Sequence, residues 1–286
     1  MNNPRIVVCG FATIDYVVEV DGDFRGRGTL PMRGDPESLR PRAGAAALYT
    51  SAALAAGGFE VSPVTWVGDD EERLIFLSGC RAAGLDVSGV SKISGARTAQ
   101  CLLIYSANGA YGCVLRSLSG AETEVQRDLV ARADVVVIAA GDPEVATRLL
   151  GEVRPQARVA WIAKNDPACF PDGLVKQLLA RADYVFCNGA ERPWIDGLLG
   201  SGGGAAAPRA IFETRGEEGV LVDHGGYVRT VPTRRLKVYD ATGAGDVFAG
   251  ATLAAVLKGE DPVAAAAAGS EAAYAMLAGR ARARPA

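Results

Sequence analysis

Short apolar runs alternate with longer amphipathic segments along most of the chain, and this rhythm predicts strands that are each followed by a helix. The first apolar run, at 6–9, ends at Gly10. Beyond Gly120 the alternation is regular, and it predicts strands at 135–139, 159–162, 184–187 and 210–212 and helices at 144–153, 172–182 and 191–199. Such a pattern is typical of an α/β fold with a doubly wound, mostly parallel sheet and helices on both faces.

Further elements flank this region on both sides. An apolar run predicts a strand at 64–67, and glycine-terminated segments predict helices at 43–58, 74–83 and 247–258. Two apolar runs around Gly225-Gly226 predict a hairpin. The pair Asp261-Pro262 is typical of the cap and first turn of a helix, and this final helix reaches about residue 278.

Two segments interrupt the alternation. Residues 16–42 begin with β-branched positions, and the part that follows, 21–40, is rich in Gly, Arg, Asp and Pro, which favours a loop or an exposed strand there. Residues 95–119 contain two apolar runs around Asn108-Gly109, which predicts a hairpin. With no internal repeat or linker in view, we expect one α/β domain over 1–286, with these two insertions packed together as a small β lid.

Composition excludes several classes of protein. Thirty basic and 33 acidic residues give a net charge of −3, which argues against nucleic acid as a partner. An apolar share of 49% supports a large core. Six cysteines without a CxxC pair, and a single His, argue against zinc and against a disulfide scaffold. The start Met-Asn-Asn-Pro-Arg lacks a signal-peptide core, and no long apolar stretch follows, so we expect a cytoplasmic protein without a membrane span.

The most informative segment is Asp-Ala-Thr-Gly-Ala-Gly-Asp at 240–246, directly before an amphipathic helix. Its small residues let the backbone N–H groups of 243–246 surround an anion at a helix N-terminus. A carboxylate at Asp246 would repel a phosphate that was merely bound. It is useful if Asp246 accepts a proton from an attacking hydroxyl. Taken alone, the segment is better explained as a helix-capping Asp after a glycine turn.

This segment resembles the signature of the ribokinase-like carbohydrate kinases, the PfkB family, and the resemblance extends over nearly the whole chain. It implies a ribokinase-like fold and ATP as phosphoryl donor. It further implies that Asp246 is the catalytic base and that Gly243, Ala244 and Gly245 form the anion hole. Asp240 would belong to a site for a monovalent cation such as K⁺.

Two further motifs match the nucleotide side of this family. Asn188 and Glu191 resemble its Asn-x-x-Glu motif, which implies that they order Mg²⁺ and phosphates, with Glu191 acting on the metal through water. Unaided, the same pair reads as a helix cap with a capping-box Glu. Thr214, Gly216 and Gly219 resemble the turn that meets the nucleotide, although alone they indicate only a glycine-rich turn.

The acceptor side follows the family less closely. Gly10 and Asp15 keep the spacing after the first strand, which implies that Asp15 binds sugar hydroxyls. Thr13 stands at an Asn-like position, the usual glycine pair is reduced to Gly44, and Tyr49 replaces the Asn that follows it. These five positions are the candidate substrate-binding residues, and their departures argue against plain ribose or fructose as the acceptor.

The two insertions also carry many arginines and apolar residues. The arginines form either a solvated face or a clamp for an acceptor phosphate or carboxylate; they are Arg25, Arg27, Arg33, Arg40, Arg42, Arg97 and Arg116. The apolar positions favour a homodimer through the lid; they are Val17, Val18, Val20, Leu102, Leu103 and Ile104.

Taken together, these features predict an ATP-dependent phosphotransferase that moves the γ-phosphoryl group to a hydroxymethyl of a small sugar or sugar derivative, with Mg²⁺ and an optional K⁺. One alternative is a nucleoside kinase of the same fold. Another is a nucleotide- or sugar-binding protein that has lost catalysis, which the retention of Asp246 argues against. A dinucleotide-dependent oxidoreductase is disfavoured because no GxGxxG follows the first strand.

Overall fold

The computed structural model describes residues 3–23, 28–33, 39–106, 111–201, 208–238 and 240–282. Its strands are β1 (Arg5–Cys9), β2 (Thr13–Val20), β3 (Met32–Arg33), β4 (Arg42–Gly44), β5 (Glu60–Val67), β6 (Val90–Lys92), β7 (Gln100–Tyr105), β8 (Tyr111–Arg116), β9 (Val135–Ile138), β10 (Arg158–Ile162), β11 (Tyr184–Asn188), β12 (Ala210–Thr214), β13 (Val220–His224) and β14 (Tyr227–Val231). Its helices are α1 (Ala46–Ala56), α2 (Glu72–Ala82), α3 (Glu124–Arg132), α4 (Pro143–Glu152), α5 (Asp172–Arg181), α6 (Arg192–Ser201), α7 (Ala244–Leu257) and α8 (Pro262–Arg282).

The main sheet has nine strands in the order β14-β13-β12-β11-β10-β9-β1-β5-β6. All neighbours from β12 to β6 pair in parallel, while β13 and β14 add an antiparallel hairpin at one edge. Alternate residues of β1 enter opposite cores. Val8 packs in the core that includes Leu54 of α1 and Leu253 of α7, whereas Val7 packs with Leu149 of α4. The prediction of a doubly wound, mostly parallel sheet is therefore confirmed.

A smaller sheet joins strands from both of the segments that interrupt the alternation. Its order is β3-β2-β7-β8, with β4 paired to the other end of β2. The pairing of β2 with β7 is parallel and sets Asp15 opposite Cys101. The predicted hairpin is present as the antiparallel pair β7 and β8. Its turn at Asn108-Gly109 lies outside the described residues.

Two local expectations change. The helix predicted from residue 43 begins at Ala46, because Arg42–Gly44 instead pairs with the start of β2. The β-branched residues at 17–20 belong to a strand that begins at Thr13, and Val17 and Val20 are each only 6% exposed. Leu103 is buried as well, so three of the six apolar residues proposed for a dimer contact pack within the protomer.

The packing of α7 on α1 requires a small residue. A Cβ at Gly250 of α7 would lie 2.5 Å from the carbonyl oxygen of Thr50 and 2.8 Å from the Cβ of Ala53, both in α1. Elsewhere a helical glycine is unconstrained: a Cβ at Gly197 of α6 meets nothing within 4 Å. None of the helices in the described ranges combines the length and apolar character that a bilayer crossing requires.

Two thiols face each other across the hairpin of the smaller sheet. The Sγ atoms of Cys101 on β7 and Cys113 on β8 are 3.1 Å apart. Cys101 is buried and Cys113 is exposed. A hydrogen bond from the Cys101 thiol lowers the pKa of Cys113, and burial partly opposes this effect. Cys113 is therefore the more reactive of the two thiols.

Replacing Gly250 by Ala is expected to lower the free energy of unfolding by about 1–3 kcal/mol, because the added methyl group must push α7 away from α1. The matched change Gly197→Ala is expected to raise it by up to about 1 kcal/mol through helix propensity. Urea denaturation of both variants measures the difference. Equal stability of Gly250→Ala and the unaltered protein would contradict this close contact.

Alkylation by iodoacetamide should modify Cys113 first, at a pH below the range in which a free thiol reacts. Peptide mass spectrometry across a pH series measures this. Cys101→Ala removes the hydrogen bond, so the pH dependence of Cys113 alkylation should move toward the ordinary thiol range. An unchanged profile in that variant would show that the thiol pair does not control Cys113.

Candidate active site

A cavity of about 380 Å³ lies where the carboxyl ends of the main-sheet strands meet the smaller sheet. In open parallel sheets, ligands bind outside this strand edge. Its wall includes residues after β1, β9 and β10, the ends of β11 and β12, and the first turn of α7. The smaller sheet supplies the opposite wall, much of it apolar. The cavity therefore joins both halves of the candidate site.

The first turn of α7 forms one end of the cavity. Gly243 precedes the helix with a φ of 78°, and a Cβ there would lie 2.5 Å from the ring of Tyr49. Ala244 donates its N–H to the carbonyl of Ala241 at 3.1 Å, and Val247 donates to Gly243 at 2.9 Å. Between them, the amides of Gly245 and Asp246 are first-turn donors that the helix itself does not use. These two amides suit an anion best.

Asp246 places a carboxylate at this helix N-terminus, on the cavity wall. Withdrawal from water, together with the negative charge of Asp15, raises its pKa to about 7, and the charge of Lys164 opposes this shift. Thr50 of α1 donates to its backbone carbonyl at 3.1 Å, which holds this turn against α1. A carboxylate with a pKa near neutral can take up a proton and release it again at physiological pH.

Asp15 and Thr13 bring polar atoms to the acceptor side of the same cavity. Thr13 donates its hydroxyl to Oδ1 of Asp15 at 2.7 Å. Oδ2 of Asp15 is buried and has no hydrogen-bond partner among the described residues. Burial raises the pKa of this carboxyl. Gly44 packs directly on the carboxylate, where any Cβ would collide with it. The free oxygen is an acceptor suited to a ligand hydroxyl.

Gly10 and Tyr49 lie outside the cavity wall. Gly10 allows β1 and β9 to approach closely, since a Cβ there would lie 3.1 Å from the carbonyl oxygen of Ala140. Tyr49 packs its ring behind Gly243, and its hydroxyl accepts from Nη2 of Arg280 at 3.1 Å. Both residues thus shape the site from behind in this conformation, whereas Thr13 and Asp15 face the cavity.

On the nucleotide side, Asn188, Glu191 and Thr214 line the cavity. Oδ1 of Asn188 accepts the N–H of Glu191 at 3.0 Å, and Oε2 of Glu191 accepts the N–H of Asn188 at 2.9 Å. Burial raises the pKa of Glu191. This reciprocal cap is the arrangement that the residues alone predict. It leaves both side chains at the cavity edge, in a position to order water around a metal.

The turn after Thr214 places its two candidate glycines away from the cavity wall. Gly216 has a φ of 57° and Gly219 a φ of 97°. Gly219 also packs tightly on the backbone of Val231. Both positions therefore have a structural reason to be glycine, and nucleotide contact at either of them stays a prediction.

Lys164 is a cavity residue that the sequence reasoning missed. It lies two residues after the end of β10, at the strand edge where the other site residues are found. Its charge lowers the pKa of Asp246. One feature of the sequence could have identified Lys164 as a site residue: it is the first charged residue after a buried parallel strand. A lone Lys in a polar loop is too common to stand out without the sheet order.

Asp240 lies outside the cavity wall and forms ion pairs with two arginines. Nη1 of Arg42 is 2.5 Å from its Oδ2, and Nη1 of Arg280 is 3.7 Å from the same atom. The backbone N–H of Thr242 donates to Oδ1 at 3.0 Å. Although burial acts in the opposite direction, the Arg42 guanidinium holds the pKa of Asp240 at about 2. Across the described ranges, no cluster of three or more His, Cys, Asp or Glu side chains is arranged to hold a metal ion.

The remaining lid arginines divide among several places. Arg25 and Arg27 lie outside the described residues. Arg33 pairs with Asp21 at 3.3 Å, and Arg116 donates to the carbonyl of Thr98 at 3.1 Å. An arginine clamp on the acceptor therefore stays a prediction.

Comparison with known proteins agrees with this arrangement. The family described as pfkB family carbohydrate kinase matches residues 3–281. A cytidine kinase of Thermococcus kodakarensis is 29% identical over 278 residues, which cover 89% of each chain. Among solved structures, the nucleoside kinase of Methanocaldococcus jannaschii superposes with a TM-score of 0.79 at 18% identity, covering 97% of this chain and 93% of that one.

A second solved structure, the Burkholderia thailandensis nucleoside kinase in complex with inosine, superposes with a TM-score of 0.78 at 19% identity, covering 96% of this chain and 91% of that one. At such identities the superpositions establish the shared fold. The family match spans almost the whole chain and includes the segment 240–246 at the cavity. The chain therefore belongs to the pfkB family of carbohydrate kinases, with the ribokinase fold and kinase activity as its class.

Proposed function

We propose that the protein transfers the γ-phosphoryl group of ATP to a hydroxymethyl group of a small ribose-like acceptor, with Asp246 as the general base. One observation carries the proposal above the others. Asp246, with a pKa raised to about 7, and the unpartnered Oδ2 of Asp15 line one cavity at the carboxyl edge of the sheet. The proposed base and the proposed hydroxyl-binding carboxylate thus line the same cavity.

The proposed step follows from this arrangement. Asp15 accepts a hydrogen bond from an acceptor hydroxyl and so orients the sugar. Asp246 takes the proton of the hydroxymethyl as its oxygen bonds to the γ-phosphorus, and the bond to the β–γ bridging oxygen breaks to release ADP. The amides of Gly245 and Asp246 face the phosphoryl oxygens and stabilise their charge. Lys164, on the same wall, adds a positive charge.

Magnesium fits the nucleotide side through water rather than by direct ligation. Oε2 of Glu191 is engaged by the backbone of Asn188, and Oδ1 of Asn188 by the N–H groups of Ala190 and Glu191. Both side chains still border the cavity, so each can accept from a metal-bound water. Mg²⁺ bound with ATP would neutralise charge on the β and γ phosphates.

A nucleoside is a second candidate acceptor, and the cavity wall favours it over a free sugar. The smaller sheet presents Leu103, Leu115 and two thiols to the cavity, and Phe11 lies on the wall as well. Apolar and aromatic side chains suit the face of a base better than sugar hydroxyls. The relative named cytidine kinase supports the same choice. Acceptor-dependent ADP release over free sugars and nucleosides separates the two.

Asp246→Asn is expected to lower turnover by about 10²–10⁴-fold, because the amide cannot accept the proton. ATP affinity should change little, since the backbone amides remain. ADP release and calorimetric titration of ATP measure the two quantities. Gly197→Ala on α6, at a position that does not line the cavity and has room for a methyl group, serves as the control with unchanged turnover. Normal turnover in Asp246→Asn would exclude Asp246 as the base.

The rate should also report the protonation of Asp246. The base must be ionised to act, and its pKa is raised to about 7, so kcat/KM is expected to rise with pH through that value. Lys164→Met removes a charge that favours the ionised carboxylate, so its midpoint should move to higher pH. A flat kcat/KM between pH 5 and 8, a window about the expected midpoint, would contradict this role.

A further inference from the structure

We propose that Arg280 and Arg42 act as built-in cations behind the anion loop 240–245, so that phosphoryl transfer by this enzyme requires no K⁺. The proposal rests on the kinase activity proposed above and assigns two positioning residues to it. The family resemblance implies a monovalent-cation site at Asp240, but the residues present do not fit one, because guanidinium groups already contact the oxygens that such an ion would use.

The carboxylate of Asp240 has both oxygens engaged. Oδ2 lies 2.5 Å from Nη1 of Arg42, and Oδ1 accepts the backbone N–H of Thr242 at 3.0 Å. The side chain is only 10% exposed. A bare cation would have to displace Arg42 to reach Oδ2, and it would leave a buried guanidinium without its partner.

Arg280 donates a hydrogen bond to a backbone carbonyl of the same loop, that of Thr242. It reaches from α8 and donates from Nη1 to the carbonyl of Thr242 at 2.5 Å, while Nη2 donates to the hydroxyl of Tyr49 at 3.1 Å. The ring of Tyr49 packs on Gly243. One guanidinium therefore contacts the loop directly at Thr242 and indirectly at Gly243. Its planar fork suits this two-sided contact better than an ammonium does.

The charges around the loop also disfavour an added cation. Nη1 of Arg42 pairs with Asp240, while its Nε and Nη2 are buried donors with no hydrogen-bond partner among the described residues. These N–H groups present positive charge to the space beside the loop, which suits an acceptor atom and not a cation. The guanidinium of Arg280 lies on the other side of the same carboxylate. A K⁺ ion placed here would face two like charges at short range in a poorly solvated space. The arginines thus provide the positive charge and at the same time exclude the ion.

The loop at 240–245 connects the cluster of Arg42, Asp240 and Arg280 to the residues proposed to carry out the reaction. The segment 240–245 includes Gly245 and is followed directly by Asp246, and both of these residues line the cavity. Thr242 also contacts the smaller sheet, since its hydroxyl and that of Tyr105 are 2.7 Å apart. Removing Arg280 should therefore displace the amides without touching any reacting atom. A displacement of this kind can reduce turnover by roughly 10- to 100-fold.

The test compares the full chain in salts of equal ionic strength, with K⁺ or with tetramethylammonium, which is too large to bind among the loop oxygens. ADP release from ATP, Mg²⁺ and the acceptor found above gives kcat and KM. The unaltered enzyme should have the same kcat in both salts. Arg280→Ala should lose roughly 10- to 100-fold in tetramethylammonium and recover much of that loss in K⁺. Arg42→Ala should likewise lose kcat in tetramethylammonium and regain part of it in K⁺.

Arg234 is the matched control. It also contacts α8, through Glu271 at 2.8 Å and over the ring of Tyr274, but it does not touch the loop. Arg234→Ala should keep the kcat of the unaltered enzyme and the same indifference to K⁺. Arg280→Lys keeps the charge and loses the fork, so it should fall between Arg280→Ala and the unaltered enzyme.

Thermal denaturation in the same two salts gives a readout that does not depend on activity. Removing Arg280 frees the carbonyl of Thr242, so K⁺ should raise the Tm of Arg280→Ala relative to tetramethylammonium and leave the Tm of the unaltered protein unchanged. If Arg280→Ala does not fold, Arg280→Lys is measured instead. The proposal would be overturned if K⁺ raised the kcat or the Tm of the unaltered protein. It would also be overturned if K⁺ changed neither the kcat nor the Tm of Arg280→Ala. Silence in the ADP assay together with the expected Tm pattern would instead count against the proposed acceptor or activity.

Discussion

The candidate site depends on the close contact between α1 and the start of α7. Gly250 lets the two helices touch at the backbone of Thr50, and the hydroxyl of Thr50 bonds to the carbonyl of Asp246 at 3.1 Å. One turn earlier, Gly243 sits on the ring of Tyr49. Because α1 also packs on the main sheet, the first turn of α7 is held by rigid elements. A catalytic group held in this way keeps its geometry better than one on a free loop.

The same short segment gives two carboxylates opposite behaviour. Asp240 and Asp246 are both partly withdrawn from water, yet the pKa of Asp240 is held at about 2 while that of Asp246 is raised to about 7. Burial raises the pKa of both carboxyl groups, and their neighbours decide whether this effect is reversed. Arg42 bonds to Asp240, whereas Asp246 faces another carboxylate, that of Asp15. Carboxylates whose pKa values are separated by their surroundings commonly take different roles. Here one is a structural anion and the other a candidate base.

The smaller sheet joins the acceptor side to the anion loop. It provides Asp15 and an apolar wall to the cavity, and through Tyr105 it also touches Thr242. Arg42 lies opposite Asp15 in the pairing of β2 with β4 and reaches Asp240. The smaller sheet therefore contacts both the carboxylate proposed to bind the acceptor and the loop proposed to bind the phosphoryl group.

The sequence by itself determined the strand and helix alternation, the mostly parallel sheet and the segment 240–246, because each depends on neighbouring residues and on a period that local chemistry sets. The tertiary structure decided the rest. Arg42 and Asp240 are 198 positions apart and meet only because β4 pairs with β2, which also delays the start of α1. Tyr49 and Lys164 likewise receive their places from packing and from strand order. Ion pairs between residues that are distant in the sequence produce no periodic pattern. The contacts of Arg42 and Arg280 with the loop at 240–245 could therefore be identified only in the folded chain.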